Sequence, residues 1–392
     1  MNTHAALTGA QVSAPHPIRP RLEQEFQARF GATEADLNAL ARIKRFTDTW
    51  LADAKLRARL DAAGFDLDLP EFDLPMSPTE LRPYLSPSAT DQPSDASHIT
   101  QLFAHYLQFR AQKRVQMRDL CAPENAAFAD WRTGQITRCQ TELTAAYNTA
   151  ILHLPVAFEL TQGCSVGCWF CGLSAAGLEQ TFHASDRNVA LWREVLQAIH
   201  AFAGPAAGQG ILFWATDPLD NPDYEIFAQE FHAILGRYPA TTTALAPRQI
   251  DRMRALLQSS FAQGADFNRF SILSLRQLHT LHAAFSPREL LFVDIIPQNR
   301  GAAQAKALTG RARSDPRATA RSAITDAPAT IACVSGVLIN MVTRHARLIA
   351  PCASSEKWPD GYKVLATDRF ASGPDLARVL QGFSHQHFEG KD

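Results

Sequence analysis

Apolar and polar residues follow two different patterns along the chain, with a change near residue 152. Before that point the apolar residues recur every three or four positions, which is the spacing of helices that pack one face against a core. Thr33 followed by Asp36 matches a capping box at a helix start. The pattern predicts helical stretches over 21–64, 98–120 and 126–152, with a Pro-, Asp- and Ser-rich connection over 65–95.

After residue 152 the pattern changes to short apolar runs of strand length. The runs cover 156–161, 211–216, 241–246, 270–274 and 291–297, and segments of helical spacing lie between them. Strands that alternate with helices indicate βαβ units and a parallel sheet, so an α/β protein is predicted. Functional groups in such folds gather where the strands end, and the predicted ends carry Cys164, Asp217, Ser274 and Gln298.

Composition and charge narrow the classes of protein. Hydrophobic residues make up 46% of the chain and its net charge is −1, which gives no basic surface for nucleic acid or for an anionic membrane. No apolar run reaches the roughly 18 residues of a membrane span. Residues 1–20 are predicted to be a flexible lead-in without the pattern of a secretory signal. Seven cysteines, an odd number with three crowded together, indicate a reducing compartment, so we expect a cytoplasmic protein.

Three cysteines are clustered directly after the first predicted strand. Cys164, Cys168 and Cys171 form a C-x₃-C-x₂-C run, and Gly163 and Gly167 allow the backbone to curl so that the sulfurs approach one another. Three thiolates at this spacing can bind one small inorganic core and leave a fourth metal position open. The pattern therefore predicts an iron–sulfur site on these three cysteines.

Two other interpretations of the cysteines are open from the residues alone. A structural zinc site needs a fourth Cys or His, and the nearest histidine is His183, twelve residues beyond Cys171. Buried, unreactive thiols are the other interpretation, because free cysteine is often buried. The strand before the motif and Phe170 ahead of the third cysteine favour the iron–sulfur cluster.

With Phe170 in place, the three cysteines resemble the signature of the radical S-adenosylmethionine (radical SAM) enzymes. The resemblance implies a partial (β/α)₆ TIM-type barrel over 153–330, with a helical N-terminal region over 21–152. It implies a [4Fe–4S] cluster on Cys164, Cys168 and Cys171. It also implies SAM as a second cofactor, bound at the fourth iron and cleaved to a 5′-deoxyadenosyl radical.

The predicted SAM-binding residues depart from the family pattern. Radical SAM enzymes usually carry a Gly-Gly-Glu-like motif after the second strand, where this chain has Thr216 and Asp217 before Pro218. Asp217 can accept a hydrogen bond from the SAM amino group, or it can simply form the turn before the proline. Ser274 and Gln298 are the corresponding candidates for the ribose and adenine, and both could instead be capping or turn residues.

Longer stretches resemble a narrower group. Residues 158–172, 214–224 and 350–362 together resemble the radical SAM epimerases that convert L residues to D in ribosomally made peptides. The resemblance implies an isomerase that acts on a precursor peptide with a leader and a core. It also implies an electron donor such as a flavodoxin or a ferredoxin. We expect the helical region to contact the leader.

Inversion of a Cα requires a second hydrogen from the opposite face, and a cysteine thiol can supply it. Cys333 and Cys352 lie in the region 331–392 and bracket a predicted β-hairpin that turns near Val342 and Thr343, which would place them opposite each other. Cys352 is the favoured donor because it follows Pro351 in a loop pattern, and Cys333 is the second candidate. An auxiliary cluster or plain core packing are the alternatives for both.

Two further functions stay open at this point. A radical SAM enzyme could form a crosslink in the peptide, which would remove two hydrogens, instead of inverting a residue. A non-catalytic iron–sulfur or zinc protein that senses or scaffolds would use the same three cysteines without cleaving SAM.

Overall fold

The computed structural model describes residues 20–85, 97–303, 307–315 and 329–388, so the predicted lead-in before residue 20 lies outside the described residues. The first part of the described chain is helical, as the spacing of its apolar residues predicts. The capping box is present: Thr33 N donates to Asp36 Oδ2 (2.8 Å) and Asp36 N donates to Thr33 Oγ1 (3.2 Å). The helices are α1 (Arg21–Phe30), α2 (Glu34–Ala52), α3 (Ala54–Ala62), α4 (Pro78–Leu85), α5 (His98–Asp119), α6 (Ala126–Glu142) and α7 (Ala145–Thr149).

The helical region shares a core with the part of the chain that forms the sheets. Phe26 of α1, Phe46 of α2 and Phe103 of α5 are buried in one core. Leu291 and Phe292, which lead into a strand, are buried in the same core, and Tyr106 Oη donates to Leu291 O over 2.6 Å. Removing these helices would therefore expose apolar residues of the second part.

The second part of the chain alternates short strands with helices, so the predicted α/β class is confirmed. The strands are β1 (Leu154–Glu159), β2 (Thr161–Gln162), β3 (Gln180–Thr181), β4 (Thr241–Thr243), β5 (Asn268–Ile272), β6 (Val293–Pro297), β7 (Val334–Asn340), β8 (His345–Pro351) and β9 (Tyr362–Arg369). The helices are α8 (Asp186–Ala203), α9 (Tyr224–Leu235), α10 (Ile250–Ala262), α11 (Leu275–Ala284), α12 (Arg311–Ser314) and α13 (Gly373–His387).

The described strands are arranged in three sheets. β4, β5 and β6 are parallel neighbours, as βαβ units require. β1 pairs in parallel with β7, and the sheet continues through antiparallel β8 and β9 in the order β1-β7-β8-β9. β2 and β3 form a separate two-stranded ladder. Within the described ranges these strands close no barrel, so the predicted partial (β/α)₆ barrel is not confirmed.

The predicted strand over 211–216 is reduced to one contact. Ile211 makes an isolated parallel bridge to Ala157 of β1, and the chain then bends away. Further along this segment, Ala215 N donates to the side chain of Glu159 (3.2 Å). A buried carboxylate thus binds a backbone N–H that the prediction assigned to a strand.

The predicted C-terminal hairpin is present, with Val342 and Thr343 in its turn. Asn340 Oδ1 accepts hydrogen bonds from both of their N–H groups (2.9 and 2.8 Å). The hairpin is continuous with the main sheet, because β7 runs beside β1 and Asn340 lies opposite Glu159. Apolar residues of α8, α9 and α13 cover one face of this sheet. None of the helices in the described ranges is long and apolar enough to cross a membrane.

Candidate functional site

The three clustered cysteines lie on a loop, 163–179, that follows β1 and is closed at its base by the β2–β3 ladder. Gly163 begins the loop with a positive φ of 85°, and a Cβ at this position would lie 2.0 Å from Gly177 O. Cys164 N donates to Ala176 O (3.0 Å), which fixes the first cysteine against the far side of the loop. Glycine is therefore required at residue 163 for the loop, which we call the cysteine loop, to close.

The thiols of the cysteine loop are free and half-buried. Burial raises the pKa of Cys164 to about 12 and that of Cys168 to about 11. The neighbouring Cys171 thiol and the Asp217 carboxylate raise the pKa of Cys168 further. A bound cation would stabilise the thiolate form of these thiols.

Three thiols on one loop are a donor set that suits an iron–sulfur cluster with one open iron. Within the described residues, no three His, Cys, Asp or Glu side chains are arranged to hold one metal ion. One zinc ion would need its sulfurs within about 4 Å of one another. A cluster places each thiolate on a different iron, so its ligands lie further apart. Cys164, Cys168 and Cys171 are the residues that would hold it.

Asp217 begins the 3₁₀ turn that follows the apolar run 211–216, and its hydrogen bonds are those of a turn residue. It is 4% exposed, and its carboxylate accepts from Leu219 N (3.0 Å), Thr243 Oγ1 (2.7 Å) and Ala244 N (2.7 Å). Burial raises its pKa to about 6. The carboxylate caps the short 3₁₀ turn Pro218–Asp220 and ties that turn to the end of β4. The half-buried Thr216 precedes it. Binding of SAM by Thr216 and Asp217 stays a prediction.

Ser274 and Gln298 follow the ends of two neighbouring parallel strands. Ser274 Oγ accepts from Gln277 N (3.2 Å) and caps α11, which is the structural role considered for it from the sequence. Gln298 N donates to Ile272 O (2.7 Å), and the Gln298 side chain is half-buried. The two residues lie at the edge of the β4–β6 sheet where Asp217 also lies, and their contact with a cofactor stays a prediction.

Cys333 and Cys352 lie at the outer ends of the hairpin, Cys333 directly before β7 and Cys352 directly after β8. Paired residues of β7 and β8 run from Asn340 opposite His345 to Gly336 opposite Ile349, so a direct pairing of the two cysteines stays a prediction. Cys333 lies where β1 begins, since Leu154 N donates to Cys333 O (2.7 Å), and Cys352 follows β8 of the same sheet. The cysteine loop follows the other end of β1, roughly 17 Å away along a six-residue strand.

The cysteine loop nevertheless folds back towards this pair. Ser174 Oγ donates to Asp360 Oδ1 (2.6 Å), and Cys352 N donates to Gly361 O (2.9 Å). The cysteine loop and the backbone of Cys352 thus bind two neighbouring residues, Asp360 and Gly361. It is 1% exposed, and burial raises its pKa to about 11.

The two remaining cysteines are buried in the helical region. Cys139 Sγ donates to Pro351 O (3.1 Å), the carbonyl that precedes Cys352. Cys121 Sγ donates to Met117 O (3.2 Å) within its own turn of chain. Sequence reasoning treats both as packing residues. The hydrogen bond to Pro351 additionally places Cys139 beside the candidate hydrogen donor.

Two polar groups near the loop are missed by sequence reasoning. Glu159, at the end of β1, is buried and accepts from Ala215 N (3.2 Å) and Asn340 Nδ2 (2.9 Å), and burial raises its pKa. A charged residue at the end of an apolar run is the signal that could have found it. Arg311 contacts the carbonyl groups of the cysteine loop, and nothing local in its sequence indicates this.

Comparison with known proteins finds a relative that matches most of the chain. No protein-family model matches the chain. The crystal structure of BtrN in complex with AdoMet and 2-DOIA covers 60% of this chain and 87% of its own, at 11% identity and a TM-score of 0.36, which is too low to support an inference. The "Uncharacterized protein y4wI" of Sinorhizobium fredii (strain NBRC 101917 / NGR234) is 35% identical over 376 residues, covering 91% of this chain and 72% of the relative. The chain belongs to the same protein family as y4wI.

Proposed function

We propose that this chain is a radical SAM enzyme. The observation that carries the proposal is the cysteine loop, in which three free thiols at C-x₃-C-x₂-C spacing lie on one closed loop directly after a parallel strand. The spacing and the donor type match a cluster with three protein ligands and one open iron. Asp217 caps the 3₁₀ turn whose Asp220 accepts from Ser165 N of the loop (2.8 Å), so its position is compatible with contact to a molecule bound at the open iron.

The chain's residues would bind and shield the cofactors. Cys164, Cys168 and Cys171 would hold the cluster, and the loop anchors would keep it at a fixed place over the sheet. When bound, the cluster and SAM supply a 5′-deoxyadenosyl radical, which removes a hydrogen atom from the substrate. Trp214 and Tyr362, whose ring centroids lie 5.5 Å apart, pack with Leu173 of the loop and would exclude water beside it.

Within this class we propose a peptide epimerase. The proposal is supported by the sequence resemblance of 158–172, 214–224 and 350–362. It is also supported by the contacts that the cysteine loop and Cys352 make with the neighbouring residues Asp360 and Gly361. Cys352 would hold a hydrogen atom at Sγ and deliver it to the Cα from the face opposite the abstraction. The sulfur would then take one electron and one proton from a flavodoxin- or ferredoxin-type reductant and solvent, which restores the thiol. Each inversion would consume one SAM.

The first experiment tests the class without a peptide. Anaerobic reconstitution with iron and sulfide should give a [4Fe–4S] absorbance, and reductant with SAM should give 5′-deoxyadenosine. Cys168→Ala should abolish both, because two thiolates cannot hold the cluster with an open iron. Cys121→Ala makes the same change at a buried cysteine outside the loop and should leave both unchanged. A loaded wild-type protein that does not cleave SAM would be the non-catalytic iron–sulfur protein instead.

The second experiment tests the product. A precursor peptide encoded beside the gene, incubated in D₂O, should gain one deuterium at each inverted Cα and keep its residue formula. A product that lacks two hydrogens and carries no Cα deuterium would identify a crosslinking enzyme and would refute the epimerase.

A further inference from the structure

Arg311 binds the cysteine loop at three points. Its backbone N–H donates to Cys171 O (2.9 Å), and its Nη1 donates to Cys168 O (2.7 Å). Its Nη2 donates to Ala175 O. These carbonyl groups belong to two of the three cysteines and to the residue whose N–H donates to Cys171 Sγ (3.4 Å). One residue thus fixes the backbone on both sides of Cys171.

The chain around Arg311 is shaped for this contact. Gly310 has a positive φ of 55°, and a Cβ at this residue would lie 2.6 Å from both Cys171 O and the carbonyl carbon of Gly172. Gly310 N donates to Pro359 O (2.7 Å), which anchors the residue on the segment that leads into β9. Glycine is therefore needed for α12 to approach the loop so closely.

The guanidinium also brings a positive charge to the loop. Its Nη1 lies 2.7 Å from Cys168 O and its Nη2 donates to Ala175 O, so the charge is held against the backbone of the cysteine loop. A positive charge at this place favours negative charge on the loop. Reduction potentials of iron–sulfur clusters depend on nearby charge and on how their sulfur ligands are oriented.

We propose that Arg311 is a positioning residue of the cysteine loop, and that its charge makes a cluster held by these thiols easier to reduce. The part about the cluster rests on the proposed function, whereas the part about positioning concerns the loop itself. The residue does not contact substrate or reacting atoms. It acts through the orientation of Cys168 and Cys171 and through the electric field at their sulfurs.

Three variants separate orientation from charge. Arg311→Met removes the guanidinium contacts and the positive charge. Arg311→Lys keeps the charge without the forked contact. Gly310→Ala keeps the arginine but pushes it away from the loop. Arg313→Met is the matched control, because Arg313 lies in the same short helix α12. The measurements are iron release to a chelator and the reduction potential of the reconstituted cluster.

Arg311→Met should bind metal about 10–100-fold more weakly, as loss of an outer contact to ligands typically does, and should lower the reduction potential. Arg311→Lys should have a reduction potential close to that of the wild type, because it keeps the charge, but it should still release iron faster than the wild type. Gly310→Ala should release iron faster than the wild type. Arg313→Met should behave as the wild type. Unchanged iron release and an unchanged reduction potential in Arg311→Met would overturn the proposal. Equal changes of both quantities in Arg313→Met would also overturn it. These measurements use no SAM, so failure to cleave SAM would refute the proposed function alone.

Discussion

The carboxylate of Asp220 accepts two hydrogen bonds from Ser165, one from its backbone N–H (2.8 Å) and one from its hydroxyl (2.5 Å). Ser165 follows the first cysteine of the loop, and Asp220 ends the 3₁₀ turn that Asp217 caps. The turn after 211–217 therefore holds the start of the cysteine loop, in the way that Arg311 holds its end.

Asp220→Ala should loosen the first cysteine while leaving the fold intact. The bonds are exposed to solvent, so we expect little change in melting temperature and a clearly faster release of iron to a chelator. Asp220→Asn keeps one acceptor and should fall between wild type and Asp220→Ala. Equal iron release by all three proteins would show that this contact does not secure the loop.

Gly163→Ala and Gly167→Ala form a matched pair. Both glycines have positive φ, so each alanine costs about 1–2 kcal/mol of backbone strain. A Cβ at Gly163 would also strike Gly177 O, whereas a Cβ at Gly167 meets nothing within 4 Å. Gly163→Ala should therefore lose iron loading while Gly167→Ala retains most of it, measured as iron per chain. The opposite order would contradict the geometry of the loop base.

Asp217 should make the protein less stable as pH rises from about 4 to about 6. Its pKa is raised in the fold, to about 6, so the folded state binds more protons than the unfolded state in this window, and stability is lost as pH rises through it. The size of the effect is about 3 kcal/mol at most. Asp217→Asn removes the titration, so the difference between the two proteins in urea unfolding should change between pH 4 and pH 7.

The same substitution also lowers the free energy of unfolding by an amount that does not depend on pH. In the Asp217→Asn protein, the amide nitrogen of the new side chain would face the N–H of Ala244, which in the wild type donates to Asp217 Oδ2. One buried donor loses its partner, at about 1–3 kcal/mol. A pH-independent difference between the two proteins would show that Asp217 titrates near its ordinary pKa.

Cys352→Ala should separate hydrogen abstraction from hydrogen return. The variant should load iron and form 5′-deoxyadenosine, but it should incorporate little Cα deuterium from D₂O and give little D residue in the peptide. Cys333→Ala, at the start of the same hairpin, is the control. Loss of epimerisation only in Cys333→Ala would move the donor role to Cys333, and normal epimerisation in the double variant would remove the thiol donor.

Sequence patterns predict the local features of this protein and miss its long-range contacts. The capping box at Thr33 and the hairpin turn at Val342 depend on neighbouring residues, and both are present. The 211–216 run has the composition of a strand, but Glu159 binds its backbone from a distant position. Arg311 resembles any surface arginine, because its partners are far away in the sequence and periodicity carries no information about them.

The parallel pairing of β1 with β7 has a consequence for the order in which the protein matures. Leu154 pairs with Val334, almost half the chain length later, and the cysteine loop is fastened by residues near 311 and 360. A ribosome releases the three thiols long before it releases these partners, and contacts between such distant residues form slowly. Iron should therefore be inserted after synthesis, and a truncated chain should carry the cysteines without retaining metal.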